Sequence, residues 1–398
     1  MTEKKLKIVH IGPVGSIGVQ PTGTGGIEKA VYFIARYQAE RGHVVSVIDI
    51  KVGVHQTLPP ILKFFELWVP PLKDKGAVRH LIRVVFFCFG MVRVLHRLQA
   101  QKKVDIIHTH HQFPVAAARL AKTILRWKTP IVHTVHNPWI LYTDFGHRLG
   151  NIFETSSLKR VAHVTMPTDF IRRELISRFG IKPENTSRVY YGINMEDINS
   201  FINEHASQPS VKTEKIVFCA ARIQPRKNQM AVVRAVPAVL ASCPEVQFIF
   251  SGPFDDPAYH QAMQSFVNEN GLAGKVEFTG AVSQEVLYGL YIKAGIFVFP
   301  TLHEIQPVAI PEAMAFGLAV AASNIGPIAD IVSQSPGSAL LFNPDDTTEI
   351  VSVLSRLLTD DVLRRDIAAK GRKLAIDRFS WQGSAVEMLA VYERVLRL

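Results

Sequence analysis

The chain has 398 residues, of which 47% are hydrophobic and 20% charged, enough apolar material for two or three cores and too much for intrinsic disorder. Its three cysteines, Cys88, Cys219 and Cys243, are too few and too far apart for a disulfide framework or a Cys-x-x-Cys metal knuckle, and the lysines near the N-terminus run into a strand rather than a signal-peptide core, which points to a reducing cytoplasm. The net charge of +11 favours anionic partners such as nucleotides or a phospholipid surface, while no nucleic-acid-binding motif accompanies it, so nucleic acid is set aside.

In chain order, Lys7–Ile11 reads as a first strand and Gly25–Arg41 as a helix stopped by Gly42. Strands follow at 44–49, 104–108, 131–135 and 161–166, with a helix at 114–127. Residues 191–214 are polar and irregular and read as a linker. A second series starts with a strand at 216–220 and continues through a helix at 230–240 and strands at 247–251, 276–279 and 296–299. A helix at 311–316, a strand at 319–322 and a helical tail from Asp361, interrupted at Phe379-Ser-Trp381, complete it. Strands alternating with helices predict an α/β protein of two parallel, Rossmann-like halves with a cleft between them.

Four pieces carry chemistry. Gly25 and Gly26, with Glu28, close a glycine-rich loop that opens the first helix, where a backbone can approach a ligand closely. Its spacing is not that of the dinucleotide fingerprint. His136 follows a strand of the first half. Arg222 and Lys227 follow the first strand of the second half and could neutralise a diphosphate, Arg by its fork and Lys as a mobile point charge. Glu304 and Glu312, with seven residues between them, bracket the start of the 311–316 helix. Two carboxylates about a helix N-terminus could grip hydroxyls on either side of a phosphate, as in a sugar nucleotide. Solvated loops and a structural histidine are the bland alternatives for each piece alone.

In order and spacing, these landmarks, with the Gly326 turn and Phe379-Ser-Trp381, resemble the retaining glycosyltransferases of the GT-B fold, family 4, over nearly the whole chain. The resemblance implies an N-terminal acceptor domain, 1–196, completed by a C-terminal helix at 380–398 that crosses back to it, and a donor domain, 197–379. It implies that Glu312 holds the ribose, that Glu304 and His136 face the transferred sugar, and that Arg222 and Lys227 bind the diphosphate. Val308 and Ala309 would add backbone donors, and the Gly25 and Gly26 backbone would approach diphosphate or acceptor. The catalytic set is then Glu304, His136, Arg222 and Lys227. The donor would be a nucleoside-diphosphate sugar, with UDP favoured over GDP by frequency in the family. No cofactor is implied, and with no Asp-x-Asp motif no obligatory metal. The chain departs from the family pattern at Gln306-Pro307, where Phe-Gly is usual, at Ala294-Gly295, where Ala-Asp is common, and at Asp330, where the turn usually ends in Glu. Pro307 has no N–H to offer a phosphate, and Pro311 is tolerated only in the first helical turn.

One segment stands apart. Arg79, Arg83, Phe86, Gly90, Arg93 and Arg97 recur at helical spacing within an otherwise apolar run, downstream of an aromatic stretch ending at Trp68. The apolar runs are too short and too charged to span a bilayer. A helix showing arginines to water is one reading. A basic and aromatic surface resting on anionic lipid is the sharper one, making the protein peripheral at the inner face of the cell membrane with a glycan or lipid-linked acceptor, in cell-surface polysaccharide or lipopolysaccharide synthesis. The competing functions are a non-catalytic nucleotide-sugar-binding protein of the same fold and a nucleotide-sugar epimerase.

Overall fold

The computed structural model describes residues 4–12, 26–50, 60–70, 77–101, 104–110, 112–136, 155–205 and 213–397. The chain forms two compact units, one of residues 1–191 with 381–398, the other of residues 192–380.

The first unit is built on seven strands, β1 (Lys7–Ile11), β2 (Val44–Ile50), β3 (Lys63–Leu67), β4 (Ile106–Thr109), β5 (Ile131–Thr134), β6 (His163–Met166) and β7 (Thr186–Arg188). Their order is β3-β2-β1-β4-β5-β6-β7, all pairs parallel. The order reverses between β1 and β4, and in open α/β sheets ligands bind beyond the strand C-termini at such a reversal. The last helix, Trp381–Arg397, belongs to this unit: Trp381 stacks on Phe33 of the Gly26–Glu40 helix at 5.4 Å, and the Ser384 hydroxyl donates to the Tyr190 carbonyl at 2.7 Å.

The second unit repeats the plan with β8 (Thr213–Ala220), β9 (Gln247–Ser251), β10 (Val276–Gly280), β11 (Ala294–Phe299), β12 (Ala319–Ser323) and β13 (Leu340–Phe342), in the parallel order β10-β9-β8-β11-β12-β13. Its reversal lies between β8 and β11. Strand β11 is buried at every residue, as a central parallel strand covered on both faces must be. Gly295 within it explains the missing acid: a Cβ there would stand 2.8 Å from the backbone of Glu214, too close for any side chain.

The doubly wound α/β reading holds in both units. Three strands escaped it, β3, β7 and β13, all at sheet edges and short, so they carry little alternation to read. The reading of 191–214 as a linker is corrected: Met195–His205 is a helix. Ile198, Phe201 and Ile202 follow a helical period, the Asn194 side chain accepts from the Asp197 N–H at 3.4 Å, and Phe201 meets the Tyr288 ring edge-on at 5.4 Å. Polar composition hid a three-residue apolar stripe.

Beyond β9, Gly252 has φ +149°, and a Cβ there would lie 2.1 Å from the Ala221 carbonyl oxygen. Gly252→Ala is therefore expected to destabilise the chain by about 3 kcal/mol in urea titration, against about 1 kcal/mol for Gly271→Ala, where φ is +64° and no atom lies within 4 Å. Equal effects would show that the Ala221 crossing does not constrain the loop.

Candidate functional site

The reversal of the second sheet gathers the charged residues. After β8 the chain enters a short 3-10 turn, Pro225–Lys227, and after β11 it runs through Thr301 to Glu304. The two segments are stitched together by backbone: Leu302 N–H donates to the Arg226 carbonyl at 3.0 Å, and the Arg226 guanidinium donates to the His303 carbonyl at 2.8 Å. Within this frame the Lys227 ammonium donates to Glu304 Oε1. The Thr301 hydroxyl reaches the same oxygen at 3.2 Å, and Arg226 NH1 stands 3.6 Å from it. The Lys227 and Glu304 side chains are only 12% and 11% exposed, so this pair is poorly screened. Lys227 Nζ also lies 5.1 Å from the centre of the Phe299 ring, a cation–π contact that fixes its direction.

Arg222 is not drawn into this group. Its guanidinium pairs with Asp255 at 2.9 Å and is 54% exposed. Glu312 lies in the first turn of the Ala309–Ala315 helix, whose N-cap is Val308, and its N–H is closed onto the Val308 carbonyl at 3.1 Å. Pro311 is the third helical residue, within the first turn, where its missing N–H leaves no gap in the ladder. Burial first, and the Glu312 carboxylate second, raise the phenols of Tyr288 and Tyr291. The fully buried Tyr291 stacks on Phe316 at 5.1 Å.

His136 and Gly26 belong to the other unit. Gly26 opens its helix exposed, and a Cβ there would meet nothing within 4 Å. Gly25 lies outside the described residues. His136 is buried, with Nδ1 2.6 Å from the Tyr191 hydroxyl and Nε2 2.9 Å from His110 Nδ1. The reversal of the first sheet thus collects histidines: His10 lies in β1, His108 and His110 lie in and beyond β4, and His133 and His136 lie in and beyond β5. His10, His108 and His110 offer nitrogens within 4.8 Å of one another, the metal-like grouping among the described residues. His108, however, already has Tyr392 at 2.5 Å from Nδ1 and Thr134 at 2.7 Å from Nε2. Among the described residues the grouping contains no carboxylate to offset a cation.

Sequence reasoning missed Arg226, Thr301, Asp255 and the histidines around His136. Arg226 was visible beside Lys227. The histidines were legible only as a recurrence of His at the ends of successive strands.

Lys227→Met is expected to lower the stability of the second unit by roughly 3 kcal/mol, because Glu304 is left largely buried with only the more distant Arg226. Adding Glu304→Gln should restore roughly half of that loss, since it removes the stranded charge. Additive losses in denaturant titration would show that the pair is not coupled.

The glycosyltransferase family 4 model matches residues 24–197 and the glycosyl transferases group 1 model residues 200–374. The D-inositol 3-phosphate glycosyltransferase of Jonesia denitrificans is 26% identical over 97% of this chain and 94% of its own length. An uncharacterized glycosyltransferase, MJ1607, of Methanocaldococcus jannaschii is 25% identical over 95% of this chain and 96% of its own. Among solved structures, the sucrose-phosphate synthase from Thermosynechococcus elongatus superposes with a TM-score of 0.77 at 21% identity, covering 99% of this chain and 100% of that one. Anabaena HepE in complex with UDP and glucose superposes with a TM-score of 0.72 at 18% identity, covering 98% of this chain and 100% of that one. With matches to both halves and two doubly wound parallel sheets, the chain belongs to the family 4, group 1 glycosyltransferases and has their α/β GT-B architecture.

Proposed function

We propose that this glycosyltransferase moves a sugar from a nucleoside-diphosphate sugar, with UDP favoured over GDP, to a glycan or lipid-linked acceptor, retaining the anomeric configuration and needing no divalent metal. The observation that carries the reading is the Lys227–Glu304 pair, flanked by Arg226, at the reversal of the second sheet. Transfer separates charge: the sugar becomes oxocarbenium-like as the diphosphate departs. Prepositioned cations stabilise the leaving group without reorganising, and a low-dielectric site makes each worth more than in water. Glu304, held by Lys227 and Thr301, lies beside the developing positive charge. Its role is to position the sugar and stabilise that charge, not to act as a base. Glu312, one turn into its helix, is the ribose acceptor, and Arg222 is the outer diphosphate contact after exchanging Asp255 for phosphate. Val308 and Ala309 supply backbone donors, and the Gly26 backbone is assigned to the diphosphate or the acceptor, Gly25 lying outside the described residues. The HepE complexes with UDP and with UDP-glucose are consistent with a UDP-sugar donor.

The acceptor side rests on the helix Ala77–Ala100, with the side chains of Arg79 and Arg83 outside the described residues. Of the expected stripe, Phe86, Arg93 and Arg97 are exposed among the described side chains, and apolar residues extend the exposed row. It runs Ile82, Val85, Phe86, Phe89 and then Arg93, His96, Arg97, apolar in its first half and basic in its second, while Gly90 packs on Leu67. Trp68, 64% exposed, meets Phe86 edge-on at 6.0 Å, and Phe89 is 71% exposed. Among the described residues no helix is long and apolar enough to cross a membrane. An aromatic cluster beside exposed arginines suits insertion at the headgroup boundary of anionic lipid. This supports a peripheral enzyme on the cytoplasmic leaflet, acting on lipid-linked glycan in cell-surface polysaccharide or lipopolysaccharide synthesis.

A melting-temperature panel of UDP- and GDP-sugars, with and without EDTA, tests the donor side. One nucleotide series should stabilise the wild type, EDTA should change nothing, and Glu312→Ala should weaken the effect about tenfold or more in concentration. Undiminished affinity in that variant would remove Glu312 from the ribose role. On the acceptor side, flotation should recover the wild type with anionic vesicles and leave Arg93→Glu/Arg97→Glu behind. Equal recovery with neutral vesicles would sink the electrostatic version.

A further inference from the structure

Five side chains at the reversal of the first sheet form one unbroken hydrogen-bond chain. His10 Nε2 lies 2.8 Å from Gln38 Oε1, His10 Nδ1 lies 2.9 Å from His110 Nε2, His110 Nδ1 lies 2.9 Å from His136 Nε2, and His136 Nδ1 lies 2.6 Å from the Tyr191 hydroxyl. All five residues are buried, and the His10 and His110 rings stack at 5.2 Å.

Proton positions along this chain follow from one end. The Gln38 carbonyl oxygen can only accept, so His10 carries its proton on Nε2. Burial lowers the His10 pKa to about 4 and holds that of His110 well below the ordinary value, so both rings are neutral near pH 7 and each has one N–H. His10 Nδ1 is therefore bare and accepts from His110 Nε2–H. His110 Nδ1 is bare in turn and accepts from His136 Nε2–H. A neutral His136 then has Nδ1 left to accept the Tyr191 O–H. Reversing one link alone would set two protons or two lone pairs face to face, a penalty that burial makes large; only turning the Gln38 amide over would reverse all of them together.

We propose that His10 and His110, anchored on Gln38, are positioning residues that lock His136 as its Nε2–H tautomer, so that it meets substrate as a hydrogen-bond acceptor through Nδ1. This rests on the reading of His136 as a contact to the transferred sugar. Substrate engagement is then an exchange: a sugar hydroxyl donates to Nδ1 in place of the Tyr191 hydroxyl, and the three-ring chain behind keeps that nitrogen bare. His108 lies against the chain but outside it, bonded instead to Tyr392 and Thr134.

The full-length protein with 15N-labelled histidine, examined by long-range proton–nitrogen NMR at pH 7.5 and assigned with His136→Gln, reads the tautomer directly. The wild type should show a protonated Nε2 and a bare Nδ1 on His136. The opposite tautomer, or an average of the two, would overturn the proposal without recourse to any variant. His110→Phe keeps a ring in place and removes the acceptor for His136 Nε2–H. It should average the two tautomers and lower kcat for UDP-sugar or GDP-sugar turnover by roughly ten- to a hundredfold. Thr134→Val, which breaks the bonds of Thr134 to His108 and Thr165 but no link of the chain, should leave both readouts at wild-type values. Wild-type kcat in His110→Phe, or a kcat loss with the His136 tautomer unmoved, would refute the positioning role. Wild-type turnover in His136→Gln would instead remove His136 from the substrate, leaving the tautomer result standing and the functional half of the inference overturned.

Discussion

A largely buried ion pair at the end of a parallel sheet organises the second unit. Lys227 and Glu304 arrive from β8 and β11, the two strands between which strand order reverses. A parallel sheet leaves a crevice at that point because the connections on either side depart to opposite faces. Two opposite charges held there with little water are strongly coupled, and neither can be removed without stranding the other. The Leu302 N–H bond to the Arg226 carbonyl and the Arg226 guanidinium bond to the His303 carbonyl are what allow the pair to stay in register.

The rest of the unit supports that geometry. Behind it, Phe218, Phe297 and Tyr291 meet one another at 5.1–6.0 Å, and Tyr291 stacks on Phe316 at the end of the helix carrying Glu312. This layer ties the helix to the sheet and so sets where Glu312 stands. The Gly252 crossing and Gly295 do the same by close backbone approach, at positions where no Cβ fits. The first unit uses the same topology differently. Its reversal holds histidines, bonded to one another and to Gln38, Tyr191, Tyr392 and Thr134, in place of a pair of opposite charges.

Much of this was legible in the amino-acid order. A central strand such as β11 is a continuous apolar run, and the helix ends are marked by glycine and proline. The edge strands were not legible, since β7 is three polar residues and gains its identity only by pairing with β6. The Met195–His205 helix was masked by polar composition, and its apolar stripe acquires meaning only with Tyr288 to receive it. Lys227 and Glu304 could be singled out by residue type, but their mutual contact could not, because 77 positions separate them and only the sheet brings them together. The histidine chain was hidden for the same reason. Each ring looks like an ordinary core histidine until the strands are laid side by side.

The central claim is that Glu304, held by Lys227, stabilises charge in glycosyl transfer. Its most direct test is the turnover of a UDP-sugar by Glu304→Gln, which keeps the shape and the Thr301 contact while removing the charge. The account predicts a fall in kcat of roughly a hundredfold or more, with the affinity for UDP retained. A kcat within about twofold of the wild type would contradict it, because charge stabilisation by a prepositioned group is worth far more than that.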